Sequence, residues 1–122
     1  MIIIESEKYK KSYRKKLKNR VKEQEKIDKI KNLIIGSKNL REVLLSPYKE
    51  VYYIEKKKGN LKEYYTARVN SKVRLFMLPV GDYPYEENEI EEIIFDDIDD
   101  KHYGEGWFYD WFWKYVKWLF GI

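Results

Sequence analysis

The chain has 122 residues, a length that suits one domain, and its 12 Tyr, 5 Phe and 4 Trp add enough apolar mass for a core to exclude disorder of the whole chain. It has no cysteine, which excludes disulfides, thiolate metal sites and a cysteine nucleophile. The net charge of +4 is modest, but its two signs are segregated along the chain.

Met1 to Glu5 reads as a short apolar strand, too short an apolar run for a secretory leader. Ser6 is placed to cap a helix. Tyr9, Tyr13, Leu17 and Val21 recur every four residues and form one helical face. A second helix carries Ile27, Ile30, Leu33 and Ile34, with Gly36 as its stop. A bend around Asn19 to Glu25 makes the pair a helical hairpin. Residues 8–31 are crowded with lysine and arginine, opposed there only by Glu23, Glu25 and Asp28. Such a stretch is either a solvated helix face or a contact for a polyanion, most often nucleic acid. Lys15, Lys18, Arg20 and Lys22 are the candidate RNA or phosphate contacts within it.

Ser37 to Glu50 reads as irregular, with a break at Pro47. Strands are expected at Val51 to Glu55, Glu63 to Val69, Lys72 to Val80 and Ile90 to Ile98. Gly59-Asn60 marks a turn, Asn70-Ser71 a tight hairpin tip, and Gly81 to Asn88 a longer connection. The fold class is α+β: an N-terminal strand and a helical hairpin packed on a small antiparallel sheet. Residues 86–100 are strongly acidic.

Residues 105–122 form a separate aromatic extension. In WFYDWFWKYVKWLF, Trp107 to Phe120, the polar residues Asp110, Lys114 and Lys117 fall on one helical stripe, and the rest is bulky and apolar. This predicts a C-terminal amphipathic helix. It has three destinations: this protein's own body or a homodimer, a partner protein, or a membrane surface. No stretch reaches the ~20 apolar residues of a membrane-spanning helix. A reducing cytoplasm is the expected compartment.

Arginine is scarce beside lysine, yet Arg68 and Arg74 flank the Asn70-Ser71 tip. Residues an even number apart share a strand face, so the two guanidinium groups can meet across the hairpin as an anion site. The alternative is that one of them pairs with Glu55 or with the acidic strand. The sole histidine, His102, comes after that strand and beside Tyr103. The carboxylates Asp96, Asp97, Asp99 and Asp100 precede it and favour imidazolium, a competent general acid. With Glu55 as base, this set suffices for RNA cleavage without metal or cofactor. The DDIDD run lacks the spacing of a calcium-binding loop, and a solvated strand end accounts for it.

Four features in order carry a resemblance to a known family. They are a helical hairpin ending in EKIDKIKNLI, GNL followed by an aromatic pair and ARVNSKVRLFM, an apolar strand, and a terminal His-Tyr. Residues 1–104 resemble the RelE/ParE toxin superfamily, most of all the YoeB-type ribosome-dependent mRNA interferases. Gly59, Asn60, Leu61, Tyr64, Tyr65, Arg68, Val69, Arg74, Leu75 and Phe76 match its strand motif. The resemblance implies a toxin held by a cognate antitoxin and acting on ribosome-bound mRNA. It implies Glu55 as base, Arg74 as the transition-state arginine, His102 as acid, Tyr103 completing the site, and Arg68 as a structural or RNA-contacting arginine. The chain departs from the family in its extension beyond Tyr103, in its longer 37–50 and 81–88 segments, and in its acidic run. The competing function is a non-catalytic binding module on the same fold, directed at an antitoxin, nucleic acid or gyrase.

Overall fold

In the computed structural model, which describes residues 1–100, strand β1 (Ile2–Glu5) turns at Ser6 into helix α1 (Glu7–Lys16). Ser6 is the cap its position predicted. Its hydroxyl accepts from the Tyr9 N–H at 3.0 Å and donates to the Asp96 carbonyl at 2.9 Å. The cap therefore also ties the helix to the sheet. Helix α2 (Val21–Ile35) comes next and stops at Gly36 as expected. The bend lies at residues 17–20, earlier than the Asn19 to Glu25 stretch suggested. Asn19 takes a left-handed φ of 64°, a conformation asparagine tolerates, so the chain turns there.

Residues 37–50 are not irregular. Helix α3 (Leu40–Leu45) is capped by Asn39, whose side chain accepts from the Glu42 N–H at 2.9 Å. Helix α4 (Tyr48–Val51) starts directly after Pro47. Each is so short that its apolar residues never build a periodic signal. Val51 is thus helical, and strand β2 is only Glu55–Lys56. A single 3₁₀ turn, Gly59–Leu61, leads to β3 (Tyr65–Arg68), β4 (Arg74–Pro79) and β5 (Glu92–Asp99).

The sheet order is β1-β5-β4-β3-β2. It is mixed, not antiparallel: β1 pairs parallel with β5, Ile3 opposite Ile93. That pairing joins the two ends of the described chain, and no local sequence pattern encodes it. The β4–β5 register shifts between Phe76 and Met77 and leaves Asp96 unpaired as a bulge. Ala67, Leu75, Met77, Phe95 and Ile98 are buried on the helix side of the sheet with Ile27, Ile30 and Ile34 of α2. Tyr9 of α1 meets Phe95 edge-on, ring centroids 5.5 Å apart. The other side of the sheet carries rows of polar side chains.

Candidate active site

The hairpin tip is built by one side chain. The Asn70 carboxamide oxygen accepts from the Lys72 and Val73 N–H groups, each at 2.8 Å, and its nitrogen donates to Glu23 of α2 at 2.9 Å. Asparagine suits the place because its short amide mimics a backbone turn. The tip brings Arg68 and Arg74 directly opposite each other, as their spacing predicted. Asp99 stands opposite Arg74 on its other flank. Directly opposed residues share a face, so Arg68, Arg74 and Asp99 form one row across three strands. The neighbouring row is Glu55, Thr66, Phe76 and Asp97. Register thus places Glu55 and both arginines in adjacent rows, on the face away from the core.

The two arginines are held differently. Arg74 is buried, and its Nη1 donates to the Asn70 carbonyl at 2.8 Å and the Val73 carbonyl at 3.4 Å. Its guanidinium is oriented by the tip itself. Arg68 lies over Tyr53, its guanidinium carbon 4.0 Å from the ring centroid. Tyr53 reaches that position through a left-handed φ of 47°. The Arg68 Nε is buried and has no hydrogen-bond partner among the described residues.

The acidic strand end is matched by groups the sequence did not single out. Ser12 donates to Asp97 at 2.6 Å, and Lys8 reaches the same carboxylate at 3.5 Å. Tyr64 donates to Asp96 at 2.9 Å. Lys16 donates to the Ile98 carbonyl at 2.8 Å and lies 3.9 Å from Asp100. Helix α1 therefore presents part of its basic charge to β5 and offsets part of the negative charge of the strand end. Burial, then the hydrogen bond and charge of Asp96, push the Tyr64 phenol above its ordinary pKa and hold it as a donor. A depression of about 280 Å³ lies here, floored by Phe76 and walled by Lys8, Lys16, Leu61, Tyr64 and the acidic strand end. Glu55 is exposed and borders a different depression, of about 540 Å³, with Lys49, Lys56 and Lys58. No group of side chains suited to hold a metal ion occurs among the described residues. His102 and Tyr103 lie outside the described residues, as does the 105–122 extension.

Of the basic helix residues, Lys15, Lys18 and Lys22 are exposed. Arg20 pairs with Glu23 at 3.2 Å. Lys22 lines a cavity of about 340 Å³ with Lys26, Lys29, Glu23 and Asn70. Lys26 also lies 5.3 Å from the Tyr52 ring centroid. Desolvation raises the Glu23 carboxyl, but hydrogen bonds from its own backbone, Asn70 and Arg20, with the Arg20 charge, outweigh it and lower its pKa. The sequence signals for Lys8, Ser12 and Lys16 were drowned in the lysine-rich run. Their roles depend on β5, at the far end of the described chain.

No family model and no curated protein matches the chain. Solved structures do. E. coli YafQ superposes over 80% of this chain and 90% of its own, with a TM-score of 0.57 and 19% sequence identity. YafQ in the E. coli DinJ–YafQ toxin–antitoxin complex covers 84% and 93%, with a TM-score of 0.56 and 22% identity. The chain has the fold of these YafQ structures. A copper-bound mutant toxin from Helicobacter pylori shares it too, with a TM-score of 0.54 and 18% identity over 82% and 93%. At these identities the likeness is one of fold, and the site is argued from its own residues. Within this fold the paired arginines occupy the sheet face opposite the helical hairpin's core contacts.

Proposed function

We propose that this protein is the toxin of a toxin–antitoxin pair and acts as a ribosome-dependent mRNA endoribonuclease. The observation that carries the reading is the direct opposition of Arg68 and Arg74 on the sheet face away from the core, one row from Glu55. Its support from outside is the fold, shared with a protein solved in a toxin–antitoxin complex.

The chemistry is general acid–base catalysis at a phosphodiester. Glu55 takes the proton of the ribose 2′-hydroxyl. The 2′-oxygen attacks the adjacent phosphorus, and the bond to the 5′-oxygen breaks. Arg74, pre-aimed by the Asn70 and Val73 carbonyls, neutralises charge developing on the phosphoryl oxygens. Arg68 contacts the RNA backbone from the same row. His102 protonates the departing 5′-oxygen, and Tyr103 completes the site. The products are a 2′,3′-cyclic phosphate and a 5′-hydroxyl. Lys15, Lys18, Arg20 and Lys22 offer sequence-independent attraction to mRNA and ribosomal RNA. A cognate antitoxin is the resting partner, and the cytoplasm is where these partners meet.

The test is a reconstituted translation reaction with mapping of mRNA 5′ ends. The wild type cuts ribosome-bound mRNA and leaves 5′-hydroxyl ends, and a 2′-deoxy residue at the cut site blocks cleavage. Arg74→Ala and His102→Ala each lower the rate by about 10²-fold or more. Cleavage that survives the 2′-deoxy substitution overturns the mechanism, and no cleavage at all overturns the nuclease reading.

One observation favours a second reading. Arg74 is 6% exposed and donates to two backbone carbonyls, and Asp99 stands opposite it in the register. An arginine so engaged also serves a non-catalytic binding module. In that case the chain binds an antitoxin or nucleic acid and cuts nothing.

A further inference from the structure

The face of the sheet away from the helices has a second, apolar half. Ile4, Ile94 and Leu78 stand directly opposite one another on β1, β5 and β4. One pleat further, Ile2 lies opposite Glu92, and the Val80 N–H donates to the Glu92 carbonyl at 3.0 Å. Ile2, Ile4 and Val80 are 59%, 42% and 39% exposed. Their immediate neighbours Ile93 and Met77 are buried on the helix side. Alternation would place polar residues on a solvated face. Here five apolar residues line it, across three adjacent strands and the residue after β4, with Glu92 as the one charged side chain among them.

We propose that this chain's own aromatic segment, residues 107–120, docks on that face as a helix. Three features of the chain point to this occupant. The first is position: β5 lies inside the sheet, between β1 and β4, and ends at Asp99, so the chain leaves the sheet from the patch's own strand. The second is length. Fourteen helical residues span ~21 Å at ~1.5 Å each, enough to cross the ~10 Å from β1 over β5 to β4 at ~4.8 Å per strand. Residues 100–106, with Gly104 and Gly106, extend up to ~25 Å and allow the chain to reverse. The third is composition. Only Asp110, Lys114 and Lys117 interrupt the apolar surface of 107–120, and they share one stripe that would face water. The sheet would then lie between two helical layers. Because Phe76 and Leu78 succeed each other on the same face of β4, the docked helix would border the depression floored by Phe76.

The chain supplies its own probe. All four tryptophans, Trp107, Trp111, Trp113 and Trp118, lie in the extension. Tryptophan emission and its quenching by iodide therefore report on this segment alone. The full-length protein at low concentration, without lipid, is predicted to show blue-shifted, quench-resistant emission. The double variant Ile4→Asp/Leu78→Asp shifts the emission toward that of the unfolded chain, and the milder Ile4→Thr does so in part while preserving the edge strand. Leu45→Asp, a control at an exposed apolar site elsewhere, leaves it unchanged. Circular dichroism of each variant separates undocking from unfolding. Three results would overturn the proposal: solvent-like emission in the wild type, a blue shift indifferent to both patch variants, or a blue shift that requires high protein concentration or anionic vesicles. The last would assign the segment to a second copy or to a membrane surface.

Discussion

Where β3, β4 and the end of β5 meet, the two sides of the sheet are made of alternate residues of the same strands and have opposite characters. On the helix side, Leu75, Met77, Phe95 and Ile98 are all but inaccessible and touch other apolar side chains. On the other side, Arg68, Arg74, Asp96 and Asp97 are held by a ring face, by carbonyls, by a phenol and by helix α1. A single step along β4, from Arg74 to Leu75, crosses from one to the other. The lesson is that stability and chemistry should separate by residue parity in this protein. Substitutions one position apart should act on different observables.

The largest effect is expected from the closed side. Phe95→Ala removes a ring that packs edge-on against Tyr9. It should cost about 3–5 kcal/mol in denaturant unfolding, while the cleavage rate per folded molecule stays near wild type. Equal losses in both would break the parity rule.

Asn70→Ala sits where the two sides meet. It removes the acceptor for two tip N–H groups, the tether to Glu23, and the local order that aims Arg74. The expected cost is about 1–3 kcal/mol, with a fall in cleavage larger than the stability loss explains. Ser6→Ala cuts both the α1 cap and its bond to Asp96, for about 1 kcal/mol by thermal melting, without touching the arginine rows.

The smallest effect concerns pH. The Glu23 pKa is lowered in the folded state. Its contribution is therefore present above the ordinary carboxylate pKa and fades as pH falls through the depressed folded value. Glu23→Gln should lower stability slightly at neutral pH, where that contribution is complete, and least below the depressed pKa, so the acid limb of the stability–pH curve becomes shallower. A loss of the same size at every pH would mean that the tip tether, not the charge, is what Glu23 supplies.

Much of this arrangement was legible in the sequence because it is local. The four-residue period of Tyr9, Tyr13 and Leu17 marked α1, Ser6 its start, and Asn70 the tip that opposes the two arginines. The illegible parts depend on distant partners or on very short elements. Helices α3 and α4 are too brief to show a period. The parallel pairing of β1 with β5 and the Asp96 bulge arise only when the two ends of the described chain meet. The matching of Asp97 by Ser12 and Lys8 results from that same closure, so the acidic strand end read alone showed no partner for it.

The most direct test of the catalytic assignment is Glu55→Gln. Glu55 is exposed on a two-residue edge strand, so the substitution should leave stability within about 0.5 kcal/mol. Measured as a single-turnover rate on ribosome-bound mRNA, cleavage should fall by about 10²–10⁴-fold at unchanged melting temperature. A rate equal to wild type in that folded variant would contradict the assignment, and would leave the arginine rows without this base.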